Sequence, residues 1–462
     1  MSNQPTSKSS DTRNVFTFGL GTIGRDMVYT LVSMFLIFYL TEVVKISDSD
    51  LWWINSIIVG ARIFDALNDP IMGVIVDNTH TKYGKFKPWI GFGAVTTGIM
   101  TILLFTDFGL TGDSFILMFG VFYVLWGLTF TTNDISFWSM LPALSRDQSQ
   151  REKIGSFAKI CASIGLFSVV VGIVPVSQML AKSYGGMVQA YFILAVTIVV
   201  IMWLGQIITL VGVQENRDAF KVEESTSLKG MFKAIIENDQ LLYTAIAMSL
   251  YMIGYMTTTS FGIYFFKYAF KDENMFGLFA AVLGVAQISA LIAFPFFSKF
   301  FSRRTLYTAA MILVFAGYIV FFFSPMNMLY IGAAGLLLFL GSAFIAILML
   351  MFLADTVEYG QWKLGKRNES VTFAVQPLIN KMGGAISSGI VGATVIIAGI
   401  NRAETPDDVT AEGLFIMKVA MLILPLIFIA VGYIIYIYKY KIDRNMYNQI
   451  VADLKAKGDL SI

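Results

Sequence analysis

Twelve long apolar runs follow one another down this chain, separated by short polar breaks. The hydrocarbon core of a bilayer is about 30 Å thick, and a helix needs about 20 mostly apolar residues to cross it. Every backbone N–H and C=O at that depth must be bonded within the protein, so each run is expected to be a spanning helix. The runs cover roughly residues 15–44, 50–76, 89–109, 114–142, 155–181, 188–213, 240–268, 275–298, 305–324, 327–354, 370–399 and 413–438. Charged residues make up 14% of the 462, against about 25% in a soluble domain. The fold class expected is therefore an all-α membrane protein with twelve transmembrane helices.

The same sequence excludes several functions. A net charge of +2 points to no nucleic-acid partner. The one cysteine, Cys161, sits in an apolar run, so no intrachain disulfide is possible. The one histidine, His80, lies in a polar loop, and no His-Glu-x-x-His motif is present. No resident cofactor is expected. The start of the chain is polar and lacks an apolar core, so it is not a cleaved signal peptide. A cytoplasmic tail is expected over residues 1–14.

The longest internal break, 214–239, carries Glu215, Arg217, Asp218, Lys221, Glu223 and Glu224. It divides the chain into a six-helix bundle over 15–213 and another over 240–440, with a tail over 441–462. Lys and Arg set the orientation, because cytoplasmic loops collect them. With both termini on one side, that side holds Lys82, Lys85, Lys87, Arg146, Arg151, Lys153, Lys299, Arg303, Arg304, Lys363, Lys366 and Arg367. The other side holds only Lys45, Lys182, Lys267, Lys271 and Arg402. Both termini are expected to be cytoplasmic. The basic loop after the second run is echoed after the eighth, and the charged loop after the fourth is echoed after the tenth. Two six-span halves with related loops are the layout of major facilitator transporters.

Charges inside the runs carry the functional reading. Arg25, Asp26, Arg62, Asp65, Asp69, Asp134, Lys159 and Lys381 fall where only apolar residues are expected. Unpaired, at about 2.5–3.5 kcal/mol each, they would cost on the order of 20 kcal/mol. A typical stability is only about 5–15 kcal/mol. They must pair, line water, or both.

Arg62, Asp65 and Asp69 are spaced i, i+3, i+7 and share one helical face. Two carboxylates one turn apart repel unless positive charge sits with them, and Arg62 supplies only part of it. Pro70 leaves the Ala66 carbonyl without its helical donor. This arrangement reads either as a cation site or as a buried ion pair that fixes packing. Thr131, Asp134 and Trp138 form another i, i+3, i+7 face, with Trp126 and Asn133 nearby. A carboxylate beside an indole holds sugars: the acid accepts hydroxyl hydrogen bonds and the ring covers the apolar sugar face. Trp138 also reads as an interfacial belt residue, and Lys159 as a snorkelling lysine. The eleventh run carries Gln376, Asn380 and Lys381. Lys381 is expected either to face acids across the midline or to form a packing ion pair.

These motifs resemble those of the glycoside–pentoside–hexuronide:cation symporters, the family of melibiose permease and of the xyloside, lactose and glucuronide permeases. The segments are Gly24-Arg25-Asp26, Ala61 to Gly73 (ARIFDALNDPIMG), Tyr83 to Trp89 (YGKFKPW), Asp134 to Ser139 (DISFWS) and Ala354 to Gly360 (ADTVEYG). They occur in order, and the resemblance covers about residues 15–440. It implies a major facilitator fold of two six-helix halves and alternating access. It implies cation-site acids at Asp65 and Asp69, with Asn68 and Thr131 beside them and Asp134 between the two sites. It implies sugar-binding acids at Asp26 and Asp134 with Trp126 and Trp138, and a charged residue of the eleventh helix at Lys381. Melibiose permease has arginine where this chain has Lys159, and a lysine cannot make the same bidentate fork. It also has threonine where this chain has Pro377, which departs from a galactoside preference.

The expected function is cation-coupled symport of a glycoside, with sodium or a proton as the coupling ion and a xylose-containing disaccharide as first expectation. The expected site set also includes Arg25, Lys159, Gln376, Asn380 and Lys381 for the sugar, and Arg62 and Lys381 for the charge network. Asp65, Asp69 and Thr131 would be the oxygen ligands of a sodium ion. The expected location is a bacterial plasma membrane, with no need for an oligomer. The rivals are a membrane sensor or lipid carrier reusing the fold. An enzyme is the weakest, since no nucleophile–base or metal constellation is present.

Overall fold

Long apolar stretches with few interior breakers propagate as helices, and twelve do so among the described residues. The structure is a computed structural model that describes residues 8–77, 79, 81–141, 144, 148–214, 233, 235–365 and 369–456. The first six are α1 (Lys8–Phe38), α2 (Asp48–Asp77), α3 (Lys87–Leu104), α4 (Gly112–Met140), α5 (Gln148–Tyr184) and α6 (Met187–Gly212). The second six are α7 (Asp239–Tyr264), α8 (Asn274–Phe300), α9 (Arg303–Phe323), α10 (Met328–Leu364), α11 (Glu369–Ile397) and α12 (Ala411–Lys439). A short α13 (Arg444–Ala456) follows. Ten of the helices are long and apolar enough to span a membrane by length and composition alone. The two outside that set, α2 and α11, have the length but carry Arg62, Asp65 and Asp69, and Gln376, Asn380 and Lys381.

The chain divides into two units, Met1–Ser225 and Thr226–Ile462. In the first, α1 packs on α5 and α6, and α4 packs on α2 and α3. In the second, α7 packs on α11 and α12, and α10 packs on α8 and α9. Each pair of the second unit is a pair of the first moved on by six helices, so one packing plan is used twice. Glycines permit the closest approaches. A Cβ on Gly24 would sit 2.3 Å from the Met202 Cα of α6, and one on Gly165 of α5 would sit 2.2 Å from the Ile23 carbonyl. In the second unit a Cβ on Gly341 of α10 would lie 2.6 Å from the Ala310 carbonyl of α9.

Side-chain amides seal the ends. Asn14 Nδ2 donates to Leu144 O (3.3 Å) and Gln214 O (3.2 Å), and Asn14 Oδ1 accepts from Gln214 N (3.0 Å). In the second unit Gln240 donates to Lys439 O (3.3 Å) and accepts from Lys441 N (2.7 Å). The first helix of each unit thus caps the chain leaving its last helix.

Three expectations are corrected. The tail expected over 1–14 is shorter, because α1 already starts at Lys8 and Asn14 is buried in the cap just described. The tail expected over 441–462 contains α13, whose Ile450 and Leu454 are buried. Trp362 Nε1 donates to its Asp453 Oδ2 at 2.9 Å. The run expected to stop at 354 continues to Leu364, because its polar residues are matched: Asp355 is 5% exposed and bound by Arg303, and Tyr359 and Lys363 both bond Asp239. His80, Arg146, Lys366, Arg367 and most of 214–239 lie outside the described residues, as do the side chains of Ala66, Leu67, Pro70 and Arg151.

Gly24→Ala forces α1 off α6 and is expected to cost about 1–3 kcal/mol. Gly60 has nothing within 4 Å of a Cβ. Gly60→Ala should therefore hold or raise the melting temperature of the purified protein in detergent, while Gly24→Ala lowers it. Equal melting temperatures would remove the α1–α6 contact as a stabilising approach.

Candidate functional site

The first cluster grows from the glycine face of α1. With Gly24 seated against α6, the next residue, Arg25, is only 2% exposed. Its Nη2 donates to Asp26 Oδ2 at 3.1 Å, and its Nη1 lies 3.1 Å from Asp134 Oδ1 of α4. The guanidinium also lies over the rings of Phe137 and Trp138, at 4.7 and 5.1 Å from their centroids, an arrangement that stabilises a desolvated cation. Lys159 of α5 places its ammonium 4.6 Å from the same indole. The cation is sunk while the acids are not: the Asp26 and Asp134 side chains are 27% and 35% exposed. Arg25 Nε and Nη1 make no aligned hydrogen bond. The cluster thus presents two part-exposed carboxylates and an indole, with the guanidinium buried behind them.

The second cluster lies on α2 and α4. Thr131 Oγ1 donates to Asp65 Oδ1 at 2.6 Å. Arg62 Nε donates to Tyr123 Oη at 3.1 Å, and its Nη2 to Ser33 O of α1 at 3.4 Å. Arg62 thus also bonds a tyrosine and a backbone carbonyl, partners that the sequence spacing did not suggest. A cavity of about 20 Å³, lined by Arg62, Asp65, Tyr123 and Trp126 among others, has room for one water-sized occupant. Asn68 and Asp69 stand half-buried on α2. Among the described residues no group of three or more His, Cys, Asp or Glu side chains converges. A cation here would draw on carboxylate, hydroxyl and amide oxygens, the donor set that a hard ion takes.

The two clusters share α4, since Thr131 and Asp134 are one turn apart. The back of that turn is fixed. Asn133 donates to Ile90 O (2.9 Å) and Gln206 Oε1 (3.0 Å), and Gln206 donates to Gly21 O of α1 (2.7 Å).

Trp126 is 5% exposed and lies in a ring stack along α4, between Tyr123 (5.9 Å) and Phe130 (5.5 Å). Its indole N–H is donated to Thr101 Oγ1 at 3.1 Å. It also stacks with Tyr29 at 6.4 Å, which in turn stacks on Phe130 at 5.1 Å. Tyr29 and Tyr123 were not singled out from the sequence. The available signal was Tyr29 three residues after Asp26, and Tyr123 three before Trp126. Gln376, Asn380 and Lys381 are half-buried on α11 of the second unit, which continues through Pro377.

Comparison with known proteins gives carriers. The lactose permease of Leuconostoc lactis is 30% identical over 457 residues, covering 96% of this chain and 71% of that protein. The raffinose carrier protein of Pediococcus pentosaceus is 30% identical over 452 residues, covering 95% and 70%. The isoprimeverose transporter of Lactiplantibacillus pentosus is 24% identical over 447 residues, covering 96% and 91%. Among solved structures, a bacterial homologue of the lysosomal transporter Spinster superposes with a TM-score of 0.67 at 11% identity, covering 96% of this chain and 99% of that one. Fold and relatives are those of transporters rather than enzymes. A family model for MFS/sugar transport proteins matches residues 17–444, from α1 to the first residue of α13, and the chain belongs to that family.

Proposed function

We propose that the chain is a secondary active symporter that couples inward movement of sodium or a proton to uptake of a glycoside by alternating access. It would work in a bacterial plasma membrane with both termini cytoplasmic. What carries this reading is the single turn of α4 on which Asp134 meets Arg25 and Thr131 meets Asp65. Sugar hydroxyls donate to Asp26 and Asp134. The buried Arg25 guanidinium holds the two carboxylates in place from behind, and Trp138 covers an apolar sugar face. Lys159 supplies a point charge beside that ring.

Asp65, Asp69, Asn68 and Thr131 take the coupling ion. A sodium ion is coordinated by their oxygens; a proton instead settles on one of the two acids, whose closeness favours a shared charge. Either ion removes net negative charge next to the Thr131–Asp134 turn. Linkage then makes sugar tighten ion binding by the same factor that the ion tightens sugar. Lactose, raffinose and isoprimeverose stand in the names of relatives and support a sugar as cargo. Vesicle uptake with these sugars and a panel of xylosides, under a sodium or a proton gradient alone, identifies both substrates.

Two variants separate the sites. Asp26→Asn removes a charged acceptor and should weaken sugar binding by about 1.5–3 kcal/mol, read by calorimetry on folded protein. Unchanged affinity would exclude Asp26 from the sugar site. Asp69→Cys should abolish accumulation against a gradient but preserve sugar binding and energy-independent exchange. Accumulation that persists in that variant, with its usual dependence on sodium or pH, would put the coupling site elsewhere.

A further inference from the structure

The second unit builds a cavity of about 540 Å³ that the transport reading does not use. It lies where α8 ends, α9 begins and the chain turns from α12 into α13. Its walls carry five cations: Lys299, Arg303, Arg304, Lys441 and Arg444. They carry two carboxylates, both committed. Asp355 is held by Arg303, with the Tyr440 hydroxyl 3.5 Å away, and Asp443 Oδ1 accepts from Met446 N (2.8 Å) at the start of α13. Among the described residues, Lys299, Arg304, Lys441 and Arg444 have no carboxylate partner.

Five cations against two carboxylates leave a net charge of +3 around one hollow, which raises its potential and favours an anion. The positive end of α9, a 21-residue helix, begins at Arg303 on the same wall. Side-chain hydroxyls and amides of Ser302, Tyr447 and Asn448 complete the lining. Guanidinium forks and ammonium groups suit the several oxygens of a phosphate. The volume falls in the range that accommodates a small organic ligand.

We propose that this cavity binds a phosphate-bearing ligand. That chemistry has two sources, the headgroup of an anionic phospholipid or a soluble sugar phosphate. α13 folds against the end of α10, through Trp362 and Asp453, and Arg444 at its start lines the same cavity as Arg304. A bound phosphate bridges the two arginines and clamps α13 to α9. The proposal does not depend on the sugar and cation sites of the first unit.

The test is thermal melting and native mass spectrometry of the full chain in uncharged detergent. The probes are glucose 6-phosphate, short-chain phosphatidylglycerol and, as the zwitterionic control of zero net charge, phosphatidylcholine of the same chain length. One of the first two should raise the melting temperature at concentrations where phosphatidylcholine does not, and which one does so identifies the source. The doubly substituted Arg304→Ala, Arg444→Ala protein should bind that probe at least tenfold more weakly. The conservative pair Arg304→Lys, Arg444→Lys should retain most of the binding. Sugar affinity in each variant checks folding, and probe binding by the parent chain is readable even if no sugar binds. A response to neither phosphate, or one unchanged in the alanine variant, overturns the proposal.

Discussion

A guanidinium buried at bilayer depth has to be neutralised, and the rest of the first unit is arranged around that requirement. Arg25 is 2% exposed, and its charge is matched by Asp26 on its own helix and Asp134 on α4. Removing one partner of such a buried set leaves an uncompensated charge, commonly a loss of about 3–5 kcal/mol. The groups that offer themselves to a ligand therefore also hold α1 to α4. The geometry assigns the two jobs to different atoms. Arg25 stays behind, under Phe137 and Trp138, while the carboxylates keep part of their surface open.

The repeated packing plan makes the two units comparable position by position. Aligning the end-sealing amides, Asn14 with Gln240, puts Arg25 level with Tyr251 and Tyr29 level with Tyr255. What the first unit does with charge the second does with hydroxyls. Thr258 Oγ1 and Tyr318 Oη share a hydrogen at 2.7 Å, and the buried Tyr251 hydroxyl makes no aligned bond. The ion pairs Arg303–Asp355 and Lys363–Asp239 instead stand near the end of the unit. A duplicated backbone plan does not require a duplicated electrostatic one, because close glycine contacts and end caps recur in both units.

This division also explains what the sequence revealed. Helix positions followed from apolar run length, since the bilayer requirement acts on each segment by itself. The error at 354 arose because Asp355 and Glu358 look like loop residues until a partner such as Arg303, about 50 positions earlier, is known. α13 was missed because a 13-residue amphipathic segment is not distinguishable from a tail by hydropathy. Within the site, spacing along one helix was legible: Asp65 and Asp69 are one turn apart on α2, and Thr131 and Asp134 one turn apart on α4. Contacts between helices were not, so Tyr123 as the partner of Arg62, and the ring stack that encloses Trp126, came only from the fold.

Coupling of two sites requires an element whose arrangement both ligands bias. The Thr131–Asp65 hydrogen bond has that character. Asp65 Oδ1 accepts the threonine hydroxyl at 2.6 Å, and an ion seeking the same carboxylate must compete with that hydroxyl or recruit it as a ligand. On the proposed reading either outcome moves Thr131, while Asn133 on the opposite side of the turn is anchored to Ile90 and Gln206. The displacement is therefore taken up along the front of α4, where the next turn holds Asp134 against Arg25. A shift of a few tenths of an ångström there changes the strength of a charge pair in a low dielectric. Changes of that size are in keeping with the 1–3 kcal/mol typical of coupling between sites. On the proposed reading, communication between ion and sugar needs no long pathway, because one helical turn belongs to both.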